Sequence, residues 1–407
     1  MSKQLVIIGT GFAGIWSALA AKRLAKLTKK EDELEIVVIA PKPSLVVRPR
    51  LYEANASSMT HSVEPLFEET GIQFVQGFVK DINVENNTVL VRASETEKTI
   101  SYDSLIIAAG SSVVRPKAIP GIHEHAFDID SLESSEKLES HLHNLASLPE
   151  SPSRDTIVVC GAGFTGIELA TELPKRLTYP NTRIVVVEGA KELGPELGPG
   201  PRPIITQALK ELGIEVKLGS LVSDIGPDSV TLASGEKIET KTAIWTAGVR
   251  ATPLTAKIPA PTDSLSRLSV DQNLRVPSFN KIFATGDAAH VATDDKGHFA
   301  LMSCQHALPM GRVSGHNAAA TLLGEPLIQY EQPSYNCCLD LGAWGTVISE
   351  GWNREVKMTG DLAKKVKCFI NQKLIYPPDN AEEAITMANP IGPDSDQLFA
   401  QILAAVA

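Results

Sequence analysis

The sequence is poor in cysteine, has no excess of positive charge, and holds no apolar run longer than a strand. Five cysteines in 407 residues, at 160, 304, 337, 338 and 368, form an odd and sparse set. They make no C-x2-C spacing, so no zinc site is expected. The adjacent pair Cys337–Cys338 is geometrically unsuited to an internal disulfide. Such usage fits a reducing compartment. A net charge of −10 and a pI near 5.5 leave no electrostatic footprint for nucleic acid, which is not expected as a partner. The short apolar runs exclude a helix that crosses a bilayer. The opening MSKQLVIIG enters a strand-like run at once and leaves no room for a signal peptide. The expected location is the cytoplasm, with peripheral contact at the membrane's cytoplasmic face left open.

What the sequence does hold is a pair of glycine fingerprints. LVIIGTGFAGIWSALAAKRL carries Gly9, Gly11 and Gly14 in G-x-G-x-x-G spacing; TIVVCGAGFTGIELATEL repeats it with Gly161, Gly163 and Gly166. One such match is weak, but two, each after an apolar run and each opening a helical pattern, are a strong signal of two dinucleotide sites. The first glycine makes the strand-to-helix turn, the second admits a pyrophosphate, and the third packs helix on strand. The helix N-terminus then offers free N–H groups to the phosphates. The repeat extends further: a strand (LEIVVIA, RIVVVE), a meander-like stretch opening at Gly71 and Gly213, and a closing run (SLIIAAG, TAIWTAG) follow each fingerprint in the same order. With 43% hydrophobic residues the chain can bury two or three cores. The expected fold class is α/β, with two Rossmann-like three-layer nucleotide-binding domains plus a C-terminal α+β domain. The expected boundaries are 1–118 with 268–325 for a discontinuous first domain, 119–267 for the second and 326–407 for the third. Ser131–Ser147 reads as a connecting helix and 148–155 as a linker.

The pieces GAGFTGIELATEL, AIWTAGVRATPL and VDQNLRVPSFNKIFATGDAAH resemble the two-dinucleotide-binding-domain flavoproteins of the pyridine nucleotide-disulfide oxidoreductase superfamily. Within it, the chain is similar to type II NADH dehydrogenases over roughly residues 4–325. The resemblance implies FAD in the first domain and NADH in the second. Gly9, Gly11, Phe12, Ala13 and Gly14 would cradle the FAD pyrophosphate, Gly110 and Gly286 would allow close approach, and Asp287 would accept from the ribitol. The strand before Lys42 lacks the usual acidic end, so backbone or Lys42 would meet the adenosine ribose. Arg48 and Arg50, in VVRPRLYE, are either partners for the flavin edge or ordinary surface arginines. No cysteine lies at 41–55, where disulfide reductases of the superfamily carry C-x4-C, so thiol chemistry is not expected.

Gly161, Gly163, Phe164, Thr165, Gly166 and Gly248 are the matching set for NADH. Glu188 ends the second strand of that unit, where a carboxylate accepts from the ribose 2′-OH and repels a 2′-phosphate. Arg183 and Lys191 are the cations near enough in sequence to rescue NADPH binding. Glu168, on an apolar helical stretch, corresponds to a family glutamate beside the flavin and nicotinamide; unpaired, its pKa would be raised. A dipole-stabilised helix acid is the plainer alternative. Type II dehydrogenases line a quinone site with AQ-x-A-x-Q; here Gln305 and Ala307 remain, with Cys304 and Pro309 as departures. Proline breaks a helix interior but suits its first turn, so the helix is expected to restart near Pro309 and re-aim Gln305 and His306. The segment DLAKKVKCFINQKLIYPP and the tail SDQLFAQILAAVA each have an apolar stripe, suited to docking on a domain, a homodimer partner or a membrane.

These expectations converge on an FAD-dependent NADH dehydrogenase that passes electrons to a small-molecule, quinone-like acceptor. Two other readings stay open: an NADH-dependent reductase of a small redox protein, free flavin or oxygen, and an NADH-responsive flavoprotein that acts as a binding switch.

Overall fold

The computed structural model describes residues 2–177, 182–392 and 395–406. Two five-stranded parallel sheets organise it. The first runs in the order Ile282–Ala284, Ser104–Ile107, Lys3–Ile8, Leu34–Ala40, Gln73–Gln76. The second repeats the plan with Ala126–Phe127, Thr242–Trp245, Thr156–Cys160, Arg183–Val187 and Glu215–Lys217. Every neighbouring pair in both sheets is parallel, as βαβ crossovers require.

Period-two alternation sorts each strand between two layers. In Lys3–Ile8, Leu5 and Ile7 pack with the helix Phe12–Thr28, whereas Val6 and Ile8 pack with Ile82, Val89, Val91 and Ile100 of an antiparallel meander. In Thr156–Cys160, Ile157 and Val159 face the helix Phe164–Arg176, and Val158 and Cys160 face Ile225, Val230, Leu232 and Ile238 of the second meander. Both units are thus three layers deep, and their strands are apolar throughout because both faces are covered. The strand Ile282–Ala284 joins the first sheet after the chain has left for the second.

The helix Phe12–Thr28, rich in Ala, Leu and Lys, is buried on nearly every side. Its outer face meets the helix Cys304–Leu323, where Gly311 and Gly315 bring the two backbones together. A Cβ at Gly315 would lie 2.0 Å from the Ser17 carbonyl oxygen. Ser17 Oγ also bonds Ser314 Oγ across the contact at 2.9 Å. This second helix begins at Cys304, capped by Ser303, and does not restart at Pro309. The expected break is avoided by a contact from outside the helix. Pro309 has no N–H for the Gln305 carbonyl, and the Gln332 side chain supplies one instead at 3.3 Å.

Near the C-terminus the strands Asn336–Asp340, Thr346–Glu350 and Glu355–Thr359 form an antiparallel sheet. The helices Gly360–Phe369 and Ser395–Val406 pack on it and on each other through Ile348, Ala363, Val366, Phe399 and Ile402. Val366, Phe369 and Ile370 of the first stripe and Leu398, Phe399, Ile402 and Leu403 of the second are used in this docking, while Leu362 stays exposed. Lys364 and Lys367 turn inward to carboxylates, and Lys365 alone of the three is exposed, so this helix offers no basic outer face. Among the described residues no helix is long and apolar enough to cross a membrane.

Candidate functional site

The two glycine turns are nearly the same object. Gly9 and Gly161 have φ of +115° and +117°, a region closed to side chains. A Cβ at Gly14 would lie 2.0 Å from the Gly9 carbonyl oxygen, and one at Gly166 would lie 1.9 Å from that of Gly161. Helix and turn touch so closely that only hydrogen fits. Gly11 and Gly163 cap the helices with no side-chain cap of their own and no acidic residue in the first turn, so first-turn N–H groups of Phe12, Ala13, Phe164 and Thr165 point at a prospective anion. At the same edge of each sheet, beyond the neighbouring parallel strand, Gly110 and Gly248 take φ of +70° and +90°. The segments after them, Ser111–Val113 and Val249–Ala251, pair antiparallel and tie the two units together.

A polar network sits at this tie. Asp287, in the turn opened by Gly286 (φ +60°), accepts from Ser111 Oγ at 2.6 Å. Arg48 bonds the carboxylate of Asp130, reaches the Asp130 carbonyl at 3.1 Å and Ser111 Oγ at 3.1 Å, and lies 3.7 Å from Asp287. Arg50 instead grips Glu53 with two bonds of 3.0 and 2.8 Å, which raises its pKa further. Neither is an ordinary surface arginine. Lys42 meets the first turn through its carbonyl, which accepts from Thr10 Oγ1 at 3.2 Å, while its ammonium runs out to Glu133 at 3.5 Å.

Glu188 is held at the second turn, its Oε2 accepting from Ala162 N–H at 2.7 Å and its Oε1 from Ala190 N–H at 2.8 Å. Arg183 stands at the opposite end of the same strand, in a two-bond pair with Glu215 at 2.8 and 2.7 Å. It is thus no rescuing cation for Glu188, and the sequence expectation is corrected there.

Glu168 is 3% exposed and is not unpaired. Its Oε1 lies 2.9 Å from Lys367 Nζ and accepts from Asp340 N–H at 3.0 Å. Burial lifts its pKa to about 7 against the pull of Lys367. Burial also pushes Lys367 down, but Glu168 outweighs it and the lysine stays charged. Lys367 donates to the Cys338 carbonyl at 2.9 Å, and Asp340 accepts from Tyr52 OH at 2.9 Å and from Lys364 at 2.6 Å. A cleft of about 300 Å³ opens beside this network, lined by Glu53, Glu172, Asp340, Lys364, Lys367 and Asn371.

His306 and Gln305 face inward. His306 is fully buried, its Nδ1 3.0 Å from Tyr330 OH and its ring stacked on Tyr335 at 5.0 Å. Tyr330 OH donates to Gln332 Oε1 at 2.9 Å, so it accepts from His306 Nδ1–H, and the Nε2 lone pair is left without a partner. Burial holds this imidazole down to about pKa 4, hence neutral. Buried and neutral, the ring packs as a structural histidine. The Gln305 amide spans the backbone of Asn336, 2.5 Å from its carbonyl and 3.1 Å from its N–H. The five cysteines are unbridged, and burial pushes Cys160 up to about 12.

Sequence reasoning missed Lys367, Asp340, Asp130, Ser111 and Glu196. Glu196 sits on a turn before the helix Arg202–Glu211 and accepts from Phe164 N–H at 3.2 Å. Nothing in AKKVK separates Lys367 from Lys365; the difference is which face the sheet covers.

The chain is similar to known proteins in both sequence and fold. The family model described as pyridine nucleotide-disulphide oxidoreductase matches residues 3–311. An NADH dehydrogenase-like protein of Mycobacterium tuberculosis is 40% identical over 95% of this chain and 97% of its own. A type II NADH:quinone oxidoreductase of Staphylococcus epidermidis is 27% identical over 92% and 95%. In fold, the chain is similar to NDH2 from Plasmodium falciparum solved with NADH, with a TM-score of 0.75 at 16% identity over 95% and 97% of the two chains.

Proposed function

The chain belongs to the pyridine nucleotide-disulphide oxidoreductase family, and from that premise we infer that it is an FAD-dependent NADH dehydrogenase with a quinone as acceptor. The observation that carries the reading is the doubled glycine turn, two anion cradles whose units are joined behind Gly110 and Gly248. We assign FAD to the first, held by Gly9, Gly11, Phe12, Ala13 and Gly14, with Arg48, Gly110, Gly286 and Asp287 toward its far end. The residues fit: a Cβ at Gly11 would meet nothing within 4 Å, which leaves the cradle open. FAD held there would supply the redox chemistry that links NADH to the acceptor.

We assign NADH to Gly161, Gly163, Phe164, Thr165, Gly166, Glu188 and Gly248. Two backbone N–H groups fix the Glu188 carboxylate, so it can accept from a ribose hydroxyl without moving, and a 2′-phosphate would meet a fixed negative charge. Glu168, with Lys367, is the titratable pair placed between the second unit and the C-terminal sheet, and we assign the adjoining cleft to the acceptor side. Gln305 acts there by holding the strand Asn336–Asp340 to the helix that begins at Cys304. We place the protein in the cytoplasm, which its unbridged cysteines support.

The test is steady-state turnover of the purified yellow protein with NADH and NADPH, against a water-soluble quinone, free flavin and a small iron–sulfur protein. NADH with quinone should exceed about 1 s⁻¹, within the ordinary range of kcat. Glu188→Ser should shift the kcat/KM ratio toward NADPH. No quinone reduction, with rapid reduction of free flavin or the iron–sulfur protein, would overturn the acceptor assignment.

A further inference from the structure

The duplicated turns act as controls for each other. At Gly11 the space a side chain would take is open, with nothing within 4 Å. At the equivalent Gly163, the same space holds the carboxylate of Glu196, with Oε1 2.8 Å from the position of a Cβ. That oxygen accepts from Phe164 N–H at 3.2 Å. The second helix N-terminus has therefore taken in an anion of the chain's own, and the first has not.

Glu196 reaches the cradle from the short turn Pro195–Leu197. Leu197 is buried and anchors it. Gly194 and Gly198, at φ +47° and +77°, bend the chain on either side. Beyond them the loop lies flat on Arg354 of the C-terminal sheet, where a Cβ at Gly200 would come 2.5 Å from the Arg354 carbonyl oxygen. The backbone is seated, and the Glu196 side chain is exposed, held by the Phe164 bond.

We propose that Glu196 plugs the pyrophosphate cradle of the second fingerprint and so keeps it from being occupied by millimolar free phosphate while a dinucleotide, which binds more tightly, still enters. A carboxylate at a helix N-terminus already satisfies the N–H groups and the dipole there. A free phosphate that displaces it exchanges one anion for another and gains little. A dinucleotide also gains the ribose contact at Glu188, and that surplus opens the plug. Occupancy of the plugged state lowers apparent affinity by the fraction of molecules left open. The inference rests on the assignment of NADH to the second fingerprint.

The experiment is calorimetric titration of the FAD-loaded protein with ADP-ribose, which carries the pyrophosphate and adenosine ribose but no redox chemistry. Wild type, Glu196→Ala and Glu196→Gln are compared, with and without millimolar inorganic phosphate. Glu196→Ala should bind ADP-ribose roughly fivefold tighter, the scale of one exposed charge at a helix end. Inorganic phosphate should compete in that variant and not in the wild type, and Glu196→Gln should fall between the two. Equal or weaker binding in Glu196→Ala would overturn the plug while leaving the NADH assignment intact. Absence of ADP-ribose binding in all three proteins would overturn the NADH assignment, and the plug with it. Binding by the variants alone would support both.

Discussion

Glu168 and Lys367 leave water together, and each is tolerable only because of the other. Removing one partner of a buried pair costs about 3–5 kcal/mol, whereas replacing both costs far less. Lys367→Met should therefore lower unfolding free energy by about that amount in denaturant titrations, and Glu168→Gln/Lys367→Met should recover most of it. The pair also sets a pH dependence. Between about 4.5 and about 7 the folded protein keeps a proton on Glu168 that the unfolded chain has released. The folded state then binds more protons, so this group's contribution to stability is largest at the acid end and falls as pH rises through that window. Denaturation midpoints at pH 5 and 7.5 should differ by less in the double variant than in wild type. Equal differences would show that Glu168 does not titrate in that window. The sequence marked Glu168 as a carboxylate on an apolar stretch but gave no sign of its partner, because Lys367 lies 199 residues on and looks like its exposed neighbour Lys365.

A proline in the sixth position of a helix should break it, and the helix Cys304–Leu323 continues. Its continuity depends on a side chain outside the helix: Gln332 takes the Gln305 carbonyl that Pro309 cannot, and is itself held by Tyr330. Gln332→Ala should cost about 1 kcal/mol, the usual net worth of one hydrogen bond. In a Pro309→Ala background, where an amide N–H returns, the same change should cost clearly less. An additive double-mutant cycle would show that Gln332 does not stand in for the missing amide. Local rules alone could not foresee this, since the rescue comes from 27 residues away. Where a rule is carried wholly by neighbours in sequence, as in the G-x-G-x-x-G turns or the alternating strands, the residues announced the structure directly. Tertiary partners decided the rest: which lysines face in, where His306 points, and what fills the space at Gly163.

At the scale of the whole molecule, the second sheet lies within the span of the first, between strand Ser104–Ile107 and strand Ile282–Ala284. The antiparallel tie Ser111–Val113 to Val249–Ala251 and the Arg48–Asp130 pair then lock the units. Unfolding should be a single cooperative transition that FAD raises as a whole, by about 2.7 kcal/mol at a hundredfold excess over Kd. Asp287→Ala should retain FAD less well and reduce that gain; differential scanning calorimetry with and without added FAD checks both. A separate transition indifferent to FAD would mean that the units melt independently. The interleaved order also matters during synthesis. Every strand of the second sheet has been made once Trp245 emerges, but the first sheet waits for Ile282–Ala284, and its fingerprint helix stays uncovered until Cys304–Leu323 follows. At roughly 5–20 residues per second, the 321 residues from Lys3 to Leu323 take from about a quarter of a minute to a minute to appear. The unit that leaves the ribosome first is thus finished after the second one, and through that interval its apolar helix is the segment a chaperone would find exposed.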